Sequence, residues 1–446
     1  MTKEQEIFGY KGEALKAIRK ADAEIGDIIR IAKDNQIYEG ILIPRSEYGD
    51  ENHIVIKLES GYNIGTRISP TTKITKIGKG AKPAFTQPSL PIQNTRLPRV
   101  AIVSTGGTIA SRVDYRTGAV RPALTASDLY SVVPELTKIA QIDAQILFSL
   151  LSENITPKHW TEIAKTISKK ISEGANGIVV AHGTDTMGYT AAALSFSLQD
   201  LPVPVILVGS QRSADRPSSD AAANLIGAVT AAAKAPFAEI AVAMHETISD
   251  TSIILHRGAK TRKCHTSRRD AFKSVNAASI ARVQNQKVTM LTRHYRQRDP
   301  KRKLTLKPKF EEKVALIKFY PSMDPTMISL IVKNGYRGII LEGTGLGHVS
   351  RRLCEALQNA IEHDVVVGMT SQCIWGRVNM NVYDQGRDLL QIGVIALQDM
   401  LPETALVKLM WIFGQTKDSP QAKELLKTNI AGEMSPRTAL EEQGKA

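Results

Sequence analysis

The chain has 446 residues, beyond the size at which one hydrophobic core keeps growing, so two or three domains are expected. A hydrophobic share of 42% and a charged share of 23% are those of a globular protein and exclude a low-complexity chain, and 3 cysteines exclude a disulfide framework. The 58 Lys+Arg against 44 Asp+Glu leave a net charge of +14, which favours polyanionic partners without naming one.

The N-terminal MTKEQEIFGYKGEALKAIRKADAEIG lacks an apolar stretch followed by a cleavage signal, and no later stretch reaches the roughly 18 apolar residues of a membrane span. A cytoplasmic protein with no membrane partner is expected. KGEALKAIRKAD predicts a helix with Leu15 and Ile18 turned to a core. Next come GDIIRI, YEGILI, HIVIKLES, YNIGTRI and TKITKI, β-rich runs cut by Gly, Asp, Asn and Pro turns. About five short strands in so little sequence predict a small all-β, SH3-like barrel over residues 1–80. Residues 81–98, with prolines at 83, 88, 91 and 98, read as an extended linker.

From Val100 the pattern changes. VAIVS, GIVVAH, VPVILVGS and EIAVAMH alternate with helical segments such as HWTEIAKTISKKI and SDAAANLIGAVTAAAK, the signature of a parallel sheet covered on both faces. Residues 99–291 are expected to form one α/β domain and 314–446 a second, in which KVALIKFYP, YRGIILEGTGLG and VVVGMTSQC are the strands. The basic stretch 292–313 between them reads as a solvated connector in preference to a phosphate-binding patch.

Two strands of the first α/β domain end in glycine and hydroxyl residues: VAIVSTGGTIA at 100–110 and GIVVAHGTDTMGYTAAA at 177–193. In an open parallel sheet such turns sit where chemistry is done, and they could set Thr108, Thr184 and Asp185 around one crevice. A threonine hydroxyl is a weak nucleophile that needs a base within hydrogen-bond reach and a group to orient that base. Lys263, in RKCHTSRRDAF, is the candidate amine, although spacing alone cannot bring it to Thr184. Plainer readings stand beside these. TGGT could be a tight turn or a phosphate cradle, without the full pattern of a P-loop or a dinucleotide fold. In HGTDT, Thr184 or Asp185 could cap a helix, and His182 reads as a structural partner.

Taken in order, VSTGGTIA, AHGTDTM and AMHETISDTS…RKCHTSRRDAF resemble the bacterial-type L-asparaginase family over most of residues 100–420. The resemblance implies that family's two-domain fold and a nucleophile at Thr108, with Thr184, Lys263 and Asp185 as a Thr-Lys-Asp triad. It also implies an assisting tyrosine at Tyr115 in DYRTGAV. SENITPKHW is similar to the segment that supplies a substrate-binding serine, which points to Ser152; its plainer role is a helix cap. Backbone N–H groups at the glycine turns, Gly107 and Gly183, would stabilise an oxyanion at about 3 kcal/mol per donor.

The strand-rich module ahead of the linker, with the basic RKCHTSRRDAFKS and SQCIWGRVNMNVY segments, resembles the GatD family, the asparaginase-like subunits of archaeal glutamyl-tRNA(Gln) amidotransferases. That resemblance implies glutamine as ammonia source and no metal or cofactor in this chain. It implies ATP and Mg²⁺ at a partner, the E subunit of the amidotransferase, which would also bind Glu-tRNA(Gln), and a homodimer within a heterotetramer. The order in which Thr108 and Thr184 act stays open. Two other readings remain: a stand-alone cytosolic type I L-asparaginase, and a non-catalytic RNA-binding scaffold on the same fold.

Overall fold

A computed structural model describes residues 9–34, 36–45, 50–58, 63–79, 94–106, 111–113, 120–122, 133–212 and 219–438. The described residues divide into two compact units. The smaller takes in those between 9 and 79, with 111–113, 120–122, 212 and 219, and the larger takes in the rest.

In the smaller unit, α1 (Gly12–Lys20) precedes five strands: β1 (Ile28–Lys33), β2 (Gln36–Leu42), β3 (His53–Lys57), β4 (Asn63–Arg67) and β5 (Lys73–Gly78). They form an antiparallel sheet in the order β4-β3-β2-β1-β5. Alternation buries Ile29, Ile31, Leu42, Ile54 and Ile56 on one face, where Ala14 and Ile18 of α1 join them. Leu15, expected inside, is only partly buried, because Ala14 and Ile18 lie four residues apart and own the inner face. Tyr10 closes this core with its ring buried and its hydroxyl donating to Ile43 O at 2.9 Å.

The larger unit is built on an eight-stranded sheet. Its first five strands are β6 (Arg99–Gly106), β7 (Gln141–Leu150), β8 (Gly177–Ala181), β9 (Val205–Val208) and β10 (Ile240–His245), all parallel in the order β7-β6-β8-β9-β10. The expected parallel core is extended at one edge by further, antiparallel strands. After β10 come β11 (Ile253–Arg257), then a separate two-stranded ribbon of β12 (Thr261–Lys263) and β13 (Phe272–Ser274), then β14 (Ala281–Gln284) and β15 (Lys287–Met290). β11, β14 and β15 follow β10 at the sheet edge, each antiparallel to the one before it in the sheet, and no α-helix lies in any of the connections between them.

On one face, Ala101, Val103, Ile178, Val180, Leu207 and Val242 bury α2 (Pro157–Ser172) and α3 (Met187–Ser197), and α4 (Ala221–Lys234) packs on the sheet as well. The order starts from β6 and proceeds to both sides of it. That makes the carboxyl ends of β6 and β8 a topological switch point, where open α/β sheets open a crevice.

The second half carries β16 (Val314–Lys318), β17 (Gly338–Gly343), β18 (Val366–Ser371) and β19 (Ile395–Ala396), parallel in that order. Its strands alternate with α5 (Thr326–Lys333), α6 (Cys354–Glu362) and α7 (Asp384–Gln391), and α8 (Pro402–Gln415) and α9 (Ser419–Lys427) close the chain. Trp160, Phe196, Ile340, Leu409 and Trp411 share one apolar cluster, so the two α/β halves share a core. The 292–313 segment is stitched down: Arg298 donates to Ala233 O at 2.9 Å, Arg302 to Leu201 O at 2.8 Å, and Thr305–Leu306 pairs with Leu198–Gln199. Its lysines at 301, 303, 307 and 309 face outward, as extended chain pointing every second side chain away from the body requires. Among the described residues no helix is long and apolar enough to cross a membrane, and no group of three metal-ligating side chains occurs.

Candidate active site

β6, β7 and β8 end side by side, and the residues that follow are polar. After β8 the chain runs His182, Gly183, Thr184, Asp185 and Thr186 before α3 begins at Met187. After β7 a single turn, Ser152–Asn154, precedes α2. Lys263 comes from the ribbon. In register it lies opposite Phe272, and Phe272 and Ala271 are buried in the same cluster as Met187, which anchors the ribbon beside the start of α3.

The amine of Lys263 donates to Thr184 Oγ1 at 2.8 Å and to Asp185 Oδ1 at 2.8 Å. The lysine side chain is 14% exposed and that of Asp185 is 70% exposed, so the amine is largely shielded while the acid reaches water. A hydroxyl, an amine and a carboxylate from two segments 79 residues apart thus make one hydrogen-bonded set. Such a set can move a proton from an alcohol to an amine that a carboxylate orients.

The helix-cap reading of HGTDT does not describe these side chains. Thr186, not Thr184 or Asp185, is the residue before α3, and its hydroxyl donates to Ser152 O at 2.6 Å instead of capping the helix. Nor does Ser152 cap α2: that place belongs to Thr156, which forms a capping box with His159. Ser152 is buried instead against Gly183. A Cβ on that glycine would stand 2.8 Å from Ser152 Cβ and 3.0 Å from its Oγ, so only glycine lets the two turns meet. Gly107, Thr108 and Tyr115 lie outside the described residues.

His182 is buried behind Gly183. Trp160 Nε1 donates to Thr190 Oγ1 at 3.1 Å, the Thr190 hydroxyl bonds His182 Nε2 at 2.8 Å, and His182 Nδ1 meets Gly183 O at 2.7 Å. The carbonyl fixes Nδ1 as the donor, and burial, which disfavours the charged ring, leaves Nε2 to accept from the Thr190 hydroxyl. Burial pushes the ring's pKa down to about 4. An unfolded imidazole takes a proton near 6.5, so stability present above that pH is lost as pH falls toward 4, by roughly 3 kcal/mol in full. Urea midpoints at pH 7 and pH 5 should therefore fall further in the wild type than in His182→Gln; parallel losses would remove His182 as the cause.

Sequence reasoning did not reach a polar network under the Thr184 turn, running through Asp220, Asn224, His245, Asp250 and Arg269. The only local signal was that His245 ends an otherwise apolar strand.

Comparison with known proteins agrees with this architecture. Residues 99–296 match the N-terminal asparaginase family model, 313–426 the glutaminase/asparaginase C-terminal domain, and 23–77 the GatD N-terminal domain. The chain is 50% identical over 438 residues to the D subunit of the glutamyl-tRNA(Gln) amidotransferase of Metallosphaera sedula, covering 98% of each. The chain belongs to the GatD family of glutamyl-tRNA(Gln) amidotransferase subunits. Another member, the D subunit from Pyrococcus furiosus, is 50% identical over 94% of this chain and 97% of its own. Among solved structures, the L-asparaginase of Thermococcus kodakarensis superposes with a TM-score of 0.69 at 32% identity, covering 76% of this chain and 100% of its own. L-asparaginase I of Vibrio cholerae gives 0.67 at 29% identity, over 76% and 99%. This GatD-family chain therefore has the asparaginase fold, preceded by a five-stranded antiparallel module.

Proposed function

We propose that this chain is the glutaminase subunit of a Glu-tRNA(Gln) amidotransferase, an amidohydrolase working inside a carbon-nitrogen ligase. It hydrolyses glutamine so that the released ammonia converts Glu-tRNA(Gln) to Gln-tRNA(Gln) on a partner, the amidotransferase's E subunit. The observation that carries the reading is the Lys263 amine, 2.8 Å from both Thr184 Oγ1 and Asp185 Oδ1 at the switch point of an asparaginase fold.

In this mechanism Thr108 attacks the side-chain carbonyl of glutamine, with Tyr115 assisting. Its proton passes through the Thr184 hydroxyl to the neutral amine of Lys263, which Asp185 orients. Backbone N–H groups of the Gly107 and Gly183 turns stabilise the oxyanion, and Ser152 holds the substrate's α-carboxylate. The protonated lysine returns that proton to the amide nitrogen, which leaves as ammonia, and water then attacks the acyl-threonine, its proton passing to the freed amine and on to the Thr108 oxygen as glutamate departs. Attack by Thr184 is the competing order, and mass spectrometry of a trapped acyl-enzyme separates the two by the threonine labelled. ATP and Mg²⁺ act at the partner; the assembly is cytoplasmic, with a homodimer of this chain at its centre and a protected ammonia path to the E subunit.

A stand-alone asparaginase is the second reading, favoured by the L-asparaginases among the structural neighbours. Ammonia release from glutamine and from asparagine, measured with and without partner and misacylated tRNA, distinguishes them. Glutamine turnover that rises when both are present is expected. Partner-independent hydrolysis that prefers asparagine would overturn the amidotransferase reading.

A further inference from the structure

Thr184 and Lys263 belong to different segments, and something must hold those segments in register. On the Thr184 side the floor is Gly209, directly after β9: a Cβ there would stand 2.8 Å from Thr184 Cγ2 and 2.8 Å from His182 O. The carbonyl of Gly209 accepts a bond from Asn224 Nδ2 at 3.0 Å. On the Lys263 side, the ribbon turn is closed by Cys264 N donating to Ala271 O at 2.7 Å, and Arg269 projects from that turn. Arg269 donates to Asp250 Oδ1 at 2.9 Å and to Ile248 O at 3.2 Å. His245, fully buried at the end of β10, spans the gap, with Nδ1 2.6 Å from Asn224 Oδ1 and Nε2 2.9 Å from Asp250 Oδ1.

The pattern of donors and acceptors fixes the protons. Asn224 Nδ2 faces two acceptors, Gly209 O and Asp220 Oδ2 at 3.0 Å, so its amide nitrogen must point there and its oxygen must face His245. His245 Nδ1 is therefore a donor. Asp250 sits between His245 and Arg269, and the His245 bond, followed by the Arg269 charge, holds its carboxyl below the usual range. An ionised carboxylate can only accept, so Nε2 is a donor as well. Both ring nitrogens carry hydrogen. From α4 outward the charges alternate: Asp220 negative, His245 positive, Asp250 negative, Arg269 positive. Buried Asp220 closes the far end by accepting from Gln211 N at 3.0 Å. The neighbouring Glu246 is taken up by Arg282 and Ser252, so it does not compete for His245.

We infer that His245, held as an imidazolium between Asn224 and Asp250, is a positioning residue: a strut tying the Thr184 turn to the Lys263 ribbon and setting the distance between hydroxyl and amine. The inference rests on the amidohydrolase reading only for its kinetic consequence. Releasing one end of the strut lets the ribbon shift, and a displacement of about 1 Å between reacting groups costs on the order of 100-fold in rate.

The test uses the full chain co-purified with its partner, and glutamine as substrate. His245→Gln, neutral and able to satisfy only one side fully, should lower kcat at least tenfold while KM changes less than threefold, with the melting transition still cooperative. Arg269→Gln, at the outer end, should do the same more mildly. The double variant should fall short of the product of the two single effects, because both cut one strut. In the wild type, ¹⁵N-histidine NMR at pH 7.5 should find both nitrogens of His245 protonated, the signal being assigned by its loss in His245→Gln. A neutral ring, a kcat unchanged in both variants, or multiplicative effects would overturn the strut. An inactive wild type with a doubly protonated His245 would overturn the amidohydrolase reading and leave the proton assignment standing.

Discussion

Lys263→Met should lower kcat for glutamine hydrolysis by roughly 10³-fold, within the range that a lost general base commonly costs, with KM within a few-fold of wild type. Methionine keeps the length and apolar stem of lysine, so the ribbon anchored by Phe272 should stay in place. What disappears is the nitrogen 2.8 Å from Thr184 Oγ1, and with it the destination of the proton. Lys263→Arg should not rescue the rate, because a guanidinium does not give up its proton in the working pH range and cannot act as a base. Steady-state ammonia release checks both variants. Turnover within tenfold of wild type for the methionine variant would take Lys263 out of the mechanism.

The largest effect on stability is expected far from that crevice, at Lys408→Met. Lys408 and Glu433 are both fully buried and bonded at 2.7 Å. The ammonium places its remaining hydrogens on Leu426 O at 2.9 Å and Thr428 O at 2.5 Å, where α9 ends. Glu433 accepts in turn from Ile430 N at 3.0 Å and Ala431 N at 2.6 Å, so the pair folds the C-terminal turn against α8. Burial pulls the Lys408 amine below the ordinary lysine range, with the Glu433 charge opposing. A satisfied buried pair of this kind adds little net stability over an apolar core, yet removing one partner leaves a desolvated charge, at a cost of about 3–5 kcal/mol. Urea unfolding of Lys408→Met should register that loss, and adding Glu433→Gln should recover part of it. A loss under about 1 kcal/mol would mean that the carboxyl finds water or a proton in the folded state.

Most of the architecture is legible in the sequence because it is written locally. Five β-branched runs separated by turn residues became β1–β5, and apolar runs alternating with helices became the parallel core. The extension by β11, β14 and β15 was harder to read, since short apolar runs do not declare whether their partner lies parallel or antiparallel. The 292–313 stretch shows the same limit. Its lysines read as solvated and they are, but nothing in the composition signals that Arg298 and Arg302 would be taken up by backbone carbonyls of the core.

The site divides in the same way. Thr184 and Asp185 stand out because glycine and hydroxyl residues directly follow an apolar strand, and the fold places that strand end at the switch point. For Ser152 and HGTDT, local spacing left a cap and a ligand contact equally open. Thr156 and Thr186 occupy the places before α2 and α3, which removes the cap reading of Ser152, Thr184 and Asp185.

By itself, the sequence determined the α/β class, the separate β module and the residue types available for chemistry, because periodicity and turn composition act within a few residues of the backbone. Only the tertiary structure decided that the amine of residue 263 meets residues 184 and 185, and that His245 lies between Asn224 and Asp250. Those contacts join segments from different parts of the chain. They exist only once the apolar faces of the sheet and helices have been buried together, so no local pattern encodes them.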